Sequence, residues 1–198
     1  MKKILFFLFI GLIVLSSNTV LAQQPKQILV KNSEFADYNQ VEIPDAGLLT
    51  GNVIIDHDGI IITCNKAYYF QKENYVKLFG NVQMVQGDTL YLNSQYAEYN
   101  GNIKHAYATG KPVMRSPDMT LTTDTINFDR NKQEAYYNSF GRIVNKENTL
   151  TSNSGRYYAT QKKSQFLTTV AITSPQYAIE SDHLDDYHTS GQAYLFGP

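Results

Sequence analysis

The chain has 198 residues, a formal net charge of −1 and a single cysteine, Cys64. Its 17 Lys and Arg against 18 Asp and Glu leave no basic footprint for nucleic acid, and one cysteine excludes an intramolecular disulfide framework and a multi-cysteine zinc cluster. Aromatic residues make up 13% of the chain, with 15 Tyr, 10 Phe and no Trp, which argues against disorder and hints at strands.

The first segment reads as an export signal. Lys2 and Lys3 precede an apolar run over Ile4 to Leu15, and Val20-Leu21-Ala22 offers compact residues ahead of a cut after Ala22. The run is 12 residues long, short of the ~20 that span a bilayer as a helix, which disfavours the alternative of an uncleaved anchor. No cysteine follows the run, so no lipid anchor is expected there. The mature chain would carry 15 basic and 18 acidic residues and no disulfide, which suits the periplasm of a Gram-negative bacterium, or a position against its outer membrane.

The rest of the sequence repeats itself. Polar pairs recur at Thr63-Cys64, Asn93-Ser94, Thr122-Thr123, Thr151-Ser152 and Glu180-Ser181, with second members 30, 29, 29 and 29 residues apart. Two residues before each stands an aliphatic: Ile62, Leu92, Leu121, Leu150, Ile179. Three after stand Ala67, Ala97, Ile126, Gly155, Leu184, and five after stand Tyr69, Tyr99, Phe128, Tyr157, with Asp186 breaking the column. A second anchor lies between, at Gly51-Asn52-Val53, Gly80-Asn81-Val82, Gly110-Lys111-Pro112-Val113 and Gly141-Arg142-Ile143, with Thr168-Thr169-Val170 taking its place in the fifth copy.

Within a copy the apolar residues alternate. Val76, Leu78, Gly80, Val82 and Met84 fall on every second position, Leu90 and Leu92 continue beyond a Gly87-Asp88 turn, and Ala97 and Tyr99 follow on the opposite parity. Period two means half-buried strands, and the parity switch near Asn93-Ser94 means a bulge or bend that keeps one face apolar. The glycine of each first strand predicts a second bend, and Asp58-Gly59, Asn100-Gly101 and Asn131-Lys132 sit where turns are needed. The expectation is an elongated all-β body of stacked repeats. Residues 23–46 form an N-terminal extension with a first strand, and residues 47–198 hold five repeats plus a half-repeat, because Tyr194-Leu195-Phe196-Gly197-Pro198 echoes Lys77-Leu78-Phe79-Gly80-Asn81. Such an end reads as part of a longer protein, or as a half-repeat that pairs with a partner.

Stacking puts the columns on one inner face. The residues expected to line it are Val53, Ile62, Ala67, Tyr69, Leu78, Val82, Met84, Leu92, Ala97, Tyr99, Leu121, Ile126, Phe128, Ile143, Leu150, Tyr157, Val170 and Ile179, with Val113 in the valine column. Two outcomes stay open on the residues alone: the face closes into a dry core, or it stays open as a lane for an apolar ligand.

The pattern Leu49-Thr50-Gly51-Asn52-Val53 followed by Thr63-Cys64-Asn65-Lys66-Ala67-Tyr68-Tyr69, repeated as Leu78-Phe79-Gly80-Asn81-Val82 and Leu92-Asn93-Ser94-Gln95-Tyr96-Ala97-Glu98-Tyr99, resembles the OstA/LptA-like lipopolysaccharide-transport family, in its Bacteroidota-type form. The resemblance implies an incompletely closed β-jelly-roll, a folded shell of about ten or more antiparallel strands. It implies a carrier and bridge in which the acyl chains of lipid A sit in the apolar groove lined by the residues above. It also implies end-to-end contact with itself or with same-fold transport components through open strand edges.

Other chemistry is thinner. Asp56-His57-Asp58 reads as a solvated turn ahead of Gly59, and Cys64 as a small buried side chain. Asp182-His183, Asp185-Asp186 and His188 are the densest set of metal-ligand types, but histidines five apart on a strand point to opposite faces. Lys111, Arg115, Arg142, Arg156, Lys162 and Lys163 are candidates for meeting lipid phosphates at a rim. No catalytic residue, metal or cofactor is expected, and the reading is not an enzyme. The competing reading is a carbohydrate-binding or surface-structural β-repeat, favoured by Tyr68 and Tyr158 on the opposite parity to Tyr69, Tyr99 and Tyr157.

Overall fold

The computed structural model describes residues 26–197 except 40, 42, 43, 118, 146 and 147; the predicted export signal lies outside the described residues. Among them no helix is long and apolar enough to cross a membrane. The chain runs as β1 (Leu29–Asn32), β2 (Phe35–Asp37), β3 (Gly47–His57), β4 (Ile60–Phe70), β5 (Tyr75–Gln86), β6 (Leu90–Asn100), β7 (His105–Thr109), β8 (Val113–Arg115) and β9 (Thr120–Thr123). It continues as β10 (Thr125–Asp129), β11 (Glu134–Tyr137), β12 (Gly141–Val144), β13 (Thr149–Ser152), β14 (Ser154–Tyr158), β15 (Lys163–Thr173), β16 (Ala178–Tyr187) and β17 (Gln192–Phe196). All 17 belong to one continuous sheet, and every pairing is antiparallel.

The sheet is folded along a crease, because each long strand bends at its middle. In β3, β5 and the β7–β8 connection the bend is a left-handed pair: Gly51 and Asn52 (φ 73° and 44°), Gly80 and Asn81 (71° and 50°), Gly110 and Lys111 (76° and 61°). Glycine is favoured at the first position because that conformation crowds a Cβ. In β15 Thr168 and Thr169 adopt the same conformation without a glycine, at φ 63° and 55°. Registers slip by the extra residues at these points, so the side chains resume on the inner face after the bend.

The returning strands explain the polar column. At each bend a backbone carbonyl is turned out of the ladder, and a buried backbone acceptor needs a donor. Ser94 Oγ donates to the Tyr96 carbonyl at 3.0 Å, Thr123 Oγ1 to Thr125 at 3.3 Å, Ser152 Oγ to Ser154 at 3.0 Å and Ser181 Oγ to His183 at 3.2 Å. Cys64 makes the same contact to Lys66 through sulfur at 3.2 Å. The spacing of 29–30 residues is therefore the spacing of one crease donor per repeat.

The crease leaves two half-sheets facing each other, with turns along the two free lips. One lip carries the turns after β4, β6, β10, β14 and β16. Each ends on a left-handed residue, Asn74, Lys104, Gln133, Lys162 and Gly191 (φ 51°, 51°, 53°, 48° and 65°). Each is bonded to the next by a backbone pair: Gly101 N to Asn74 O (2.8 Å), Arg130 N to Lys104 O (3.0 Å), Ala159 N to Gln133 O (2.9 Å) and His188 N to Lys162 O (2.9 Å). The other lip carries the turns after β3, β5, β8, β12 and β15. β1 and β2 are two halves of a first bent strand, pairing with the two halves of β3.

Candidate functional site

The inner face of the second half-sheet is one unbroken apolar row. Cross-strand register runs Ile55, Ile62, Met84, Leu92, Met114, Leu121, Ile143, Leu150, Ile172, Ile179. From Ile55 to Leu121 every member is buried, Ile143, Leu150 and Ile172 are half-buried, and Ile179 is 37% exposed. The shell is thus sealed in its N-terminal half and open in its C-terminal half. Opposite this row the first half-sheet alternates large and small inner residues, Tyr69, Val76, Tyr99, Ala106, Phe128, Ala135, Tyr157, then Ser164 and Asp186. That alternation lets the two faces close tightly at the N-terminal end.

A polar clasp shuts the N-terminal mouth. His57, 1% exposed, stands at the end of β3 on one lip, and Tyr99 near the end of β6 on the other. His57 Nε2 lies 2.8 Å from the Lys26 carbonyl and must donate to it, so Nδ1 accepts from the Tyr99 hydroxyl at 2.7 Å. Arg130 reaches across from the first lip, donating to the Asp58 carbonyl (2.8 Å), the Tyr99 hydroxyl (3.1 Å) and Gln86 Oε1 (3.2 Å). Lys104 and Lys26 both pair with the Asp58 carboxylate, and their hydrogen bonds hold it down to about 2. Burial pushes the His57 imidazole below its ordinary value, so it stands neutral. Asn74 completes the closure by accepting from Ile28 N (2.7 Å) and donating to Lys26 O (2.9 Å), which seats Ile28 in the core.

Beyond Arg130 the lips separate around a cleft of about 510 Å³, a size ordinary for a small-molecule site. Met119, Ile143, Leu150, Phe166, Ile172 and Leu184 make its apolar wall. Asn145, Asn148, Ser164, Asp186 and His188 lie in the polar part of its lining. His188 Nε2 is 2.9 Å from Ser164 Oγ, and its ring stacks on Tyr157 at 5.6 Å between centroids. Apolar wall and polar edge together make an amphipathic site.

The expected lining residues divide between these regions. Val53, Ile62, Ala67, Tyr69, Leu78, Val82, Met84, Leu92, Ala97, Tyr99, Leu121, Ile126 and Phe128 are buried in one closed cluster. Ile143, Leu150 and Tyr157 line the cleft, Val170 is buried beside it, and Ile179 faces inward from the exposed end of β16. Val113 is a correction: it pairs with Asn93 and Thr122 on the outer face, and buried Pro112, two residues after Gly110 as Val53 and Val82 are after Gly51 and Gly80, holds the inner place, with Met114 the next inner residue. Met119, Phe166 and Ile172 escaped the column reading, since Phe166 and Ile172 lie on β15 off the repeated columns and Met119 lies in a turn; the alternation of Phe166 with Ser164 and of Ile172 with Val170 was the available signal.

Two further expectations change. Asp58-Gly59 is a turn, but His57 beside it is buried in the clasp, because its β3 parity points inward with Ile55 and Val53. The six basic residues do not form one rim. Arg156 and Lys163 lie on the outer face of the first half-sheet, paired with Glu134 (2.6 Å) and Asp185 (2.9 Å). Arg115 and Arg142 belong to strands of the other half-sheet, Lys111 to the crease and Lys162 to a lip. Cys64 is buried, which pushes its thiol up to about 11. His183 and His188 face opposite sides of the sheet, and among the described residues no three His, Cys, Asp or Glu side chains are grouped to hold a metal.

A comparison with curated proteins finds no match. Among solved structures the chain is similar to LptH of Pseudomonas aeruginosa, titled the LptA homologous periplasmic component of the lipopolysaccharide transport device. Identity is 11%, coverage is 70% of this chain and 82% of that one, and the TM-score is 0.32. The sequence matches the family described as OstA-like protein over residues 25–182, and with its creased, repeat-built shell the chain belongs to the OstA-like family.

Proposed function

We propose that this protein is a periplasmic carrier and bridge for lipopolysaccharide, and not an enzyme. The cleft between the open lips would shelter lipid A acyl chains, and the sealed N-terminal half would serve as the scaffold. The observation that carries this is the apolar row that passes without a break from buried Ile62 to exposed Ile179. A lipid tail in water costs ~0.8 kcal/mol per CH₂, so a 14-carbon chain gains up to ~10 kcal/mol from an apolar host. A carrier must also release its cargo, which an open-sided cleft permits. Export through the predicted signal, a body of five repeats plus a half-repeat over residues 47–198, and end-to-end joining through the edges of β1, β2 and β17 complete the reading.

Photo-crosslinking in cells tests it. A photoreactive residue in place of Leu150 or Ile172 should form adducts with lipopolysaccharide, and one in place of Ile62 or Leu78 should not. Absence of adducts at Leu150 and Ile172, with labelling by other species there, overturns the carrier reading. Equal labelling at Ile62 overturns the division between sealed and open halves.

A further inference from the structure

The two half-sheets differ on their outer faces. The first carries Tyr68, Phe70, Tyr75, Phe79, Tyr96, Tyr107, Tyr136 and Tyr158 outward, all half-buried, whereas Tyr91 is the aromatic on the strands of the second. Most of these rings are spent on each other or on charges: Phe79 packs edge-on with Tyr68 and Tyr96, and Tyr75 and Tyr96 both donate to Glu98. At the C-terminal end the rings are in contact too, Tyr187 edge-on with Tyr194 at 5.8 Å and beneath Lys163, and Phe196 against His183 at 5.0 Å, but they stand more open. Tyr187, Tyr194 and Phe196 are 37%, 49% and 50% exposed and, with Asp185, Ser190 and Gln192, shape an outer trough of about 380 Å³.

We propose that this trough is a binding site for an uncharged saccharide chain. Rings left half open beside amide and hydroxyl groups offer both contacts a sugar needs, an apolar face for its C–H bonds and hydrogen-bond partners for its hydroxyls. The charges there are already matched, Lys163 with Asp185 at 2.9 Å and His183 on the same carboxylate at 2.7 Å, so the trough holds no surplus charge for a phosphate, a nucleic acid or an anionic membrane.

Continuity with the cleft supports the same occupant. The β16–β17 hairpin serves both sites: Leu184, Asp186, His188 and Ala193 face the cleft, and Asp185, Tyr187, Gln192 and Tyr194 face the trough. A ligand with apolar tails in the cleft would bring its sugar end over the turn at 188–191 onto these rings. This last step rests on the carrier reading; the trough itself does not.

Calorimetric titration of the full chain separates the two. The probes are the lipid-free saccharide released from lipopolysaccharide by mild acid, a neutral dextran, and lipid A in detergent. The variants are Tyr187→Ala with Tyr194→Ala, and Tyr91→Ala as control. The native chain and the control should bind the released saccharide, and the double variant should bind it at least tenfold more weakly while holding lipid A unchanged. Dextran bound as well as the released saccharide supports a trough for free neutral polysaccharide; preference for the released saccharide supports a glycolipid source. No saccharide binding by the native chain, or equal binding by the double variant, overturns the trough. So does a native dimer that the double variant dissolves, which would make the rings a contact between copies. If lipid A binds neither protein, the carrier reading falls while the saccharide titration still judges the trough.

Discussion

Tyr99 donates its hydroxyl hydrogen to His57 Nδ1 across 2.7 Å, and this one bond joins the two half-sheets at the mouth of the shell. Arg130 sits on the same hydroxyl at 3.1 Å and carries the closure on to the Asp58 carbonyl. Hydrogen bonds to a charged group contribute about 1.5–3 kcal/mol each, and stranding buried partners costs as much again. Arg130→Met should therefore lower stability by about 2–4 kcal/mol in urea denaturation. It should also raise hydrogen exchange at Ile28 and Tyr99, whose closure it supports, more than at Leu184.

The clasp makes stability fall in acid in two stages. His57 has a lowered folded value, so below about 6.5 the unfolded chain binds a proton that the folded chain refuses. Stability then drops as pH falls from about 6.5 towards the folded value and levels off beneath it. Asp58 is held at about 2 against 3.8, so its contribution is full above 3.8 and is lost as pH falls towards 2. Thermal melts from about pH 7 down to about pH 2 check this. His57→Gln should abolish the upper stage and leave the lower.

The crease donors are buried, so the loss of one should be felt in stability. Ser152 Oγ is shared between the Ser154 carbonyl at 3.0 Å and the Tyr137 hydroxyl at 2.7 Å. Ser152→Ala leaves both without that partner and should cost about 1–3 kcal/mol. Cys64→Ser puts a stronger donor where a thiol stands and should be neutral or stabilising by chemical denaturation.

The left-handed pair in β15 is the weakest bend. Thr168 and Thr169 hold φ of 63° and 55° with branched side chains, where a non-glycine residue costs of order 1–3 kcal/mol. Replacing them with Gly-Asn, as in β3 and β5, should stabilise the protein by about 1 kcal/mol or more. A raised melting temperature with unchanged circular dichroism is the expected result.

Tyr137 occupies space that two glycines provide. A Cβ at Gly155 would lie 2.4 Å from its ring, and one at Gly141 would lie 2.3 Å away. Gly155→Ala should cost about 1–3 kcal/mol through overpacking, and most of that cost should vanish in a Tyr137→Leu background.

Much of this was legible in the sequence. The alternation in Val76, Leu78, Val82 and Met84 names the inner face, and the period of Cys64, Ser94, Thr123, Ser152 and Ser181 names the crease, because strand geometry and hydrogen-bond satisfaction act over a few residues. Tyr69, Tyr99 and Phe128 on one parity and Tyr68 and Tyr158 on the other were readable as two faces. Val113 was misplaced because Pro112 holds the column place two residues after Gly110, and a residue one position further along a strand points to the opposite face.

The sequence by itself determined an all-β chain of bent strands with a continuous apolar face. Only the tertiary structure decided where that face is closed. Closure depends on Arg130 meeting Asp58 and His57 meeting Tyr99, pairs 72 and 42 residues apart, and no local pattern encodes such a meeting. It also depends on position in the stack. Ile62 and Ile179 hold the same place in the repeat, yet Ile62 pairs with both Ile55 and Met84, whereas Ile179 pairs with Ile172 alone. Apolar burial is a property of neighbours, so equivalent residues become sealed core at one end and cleft at the other.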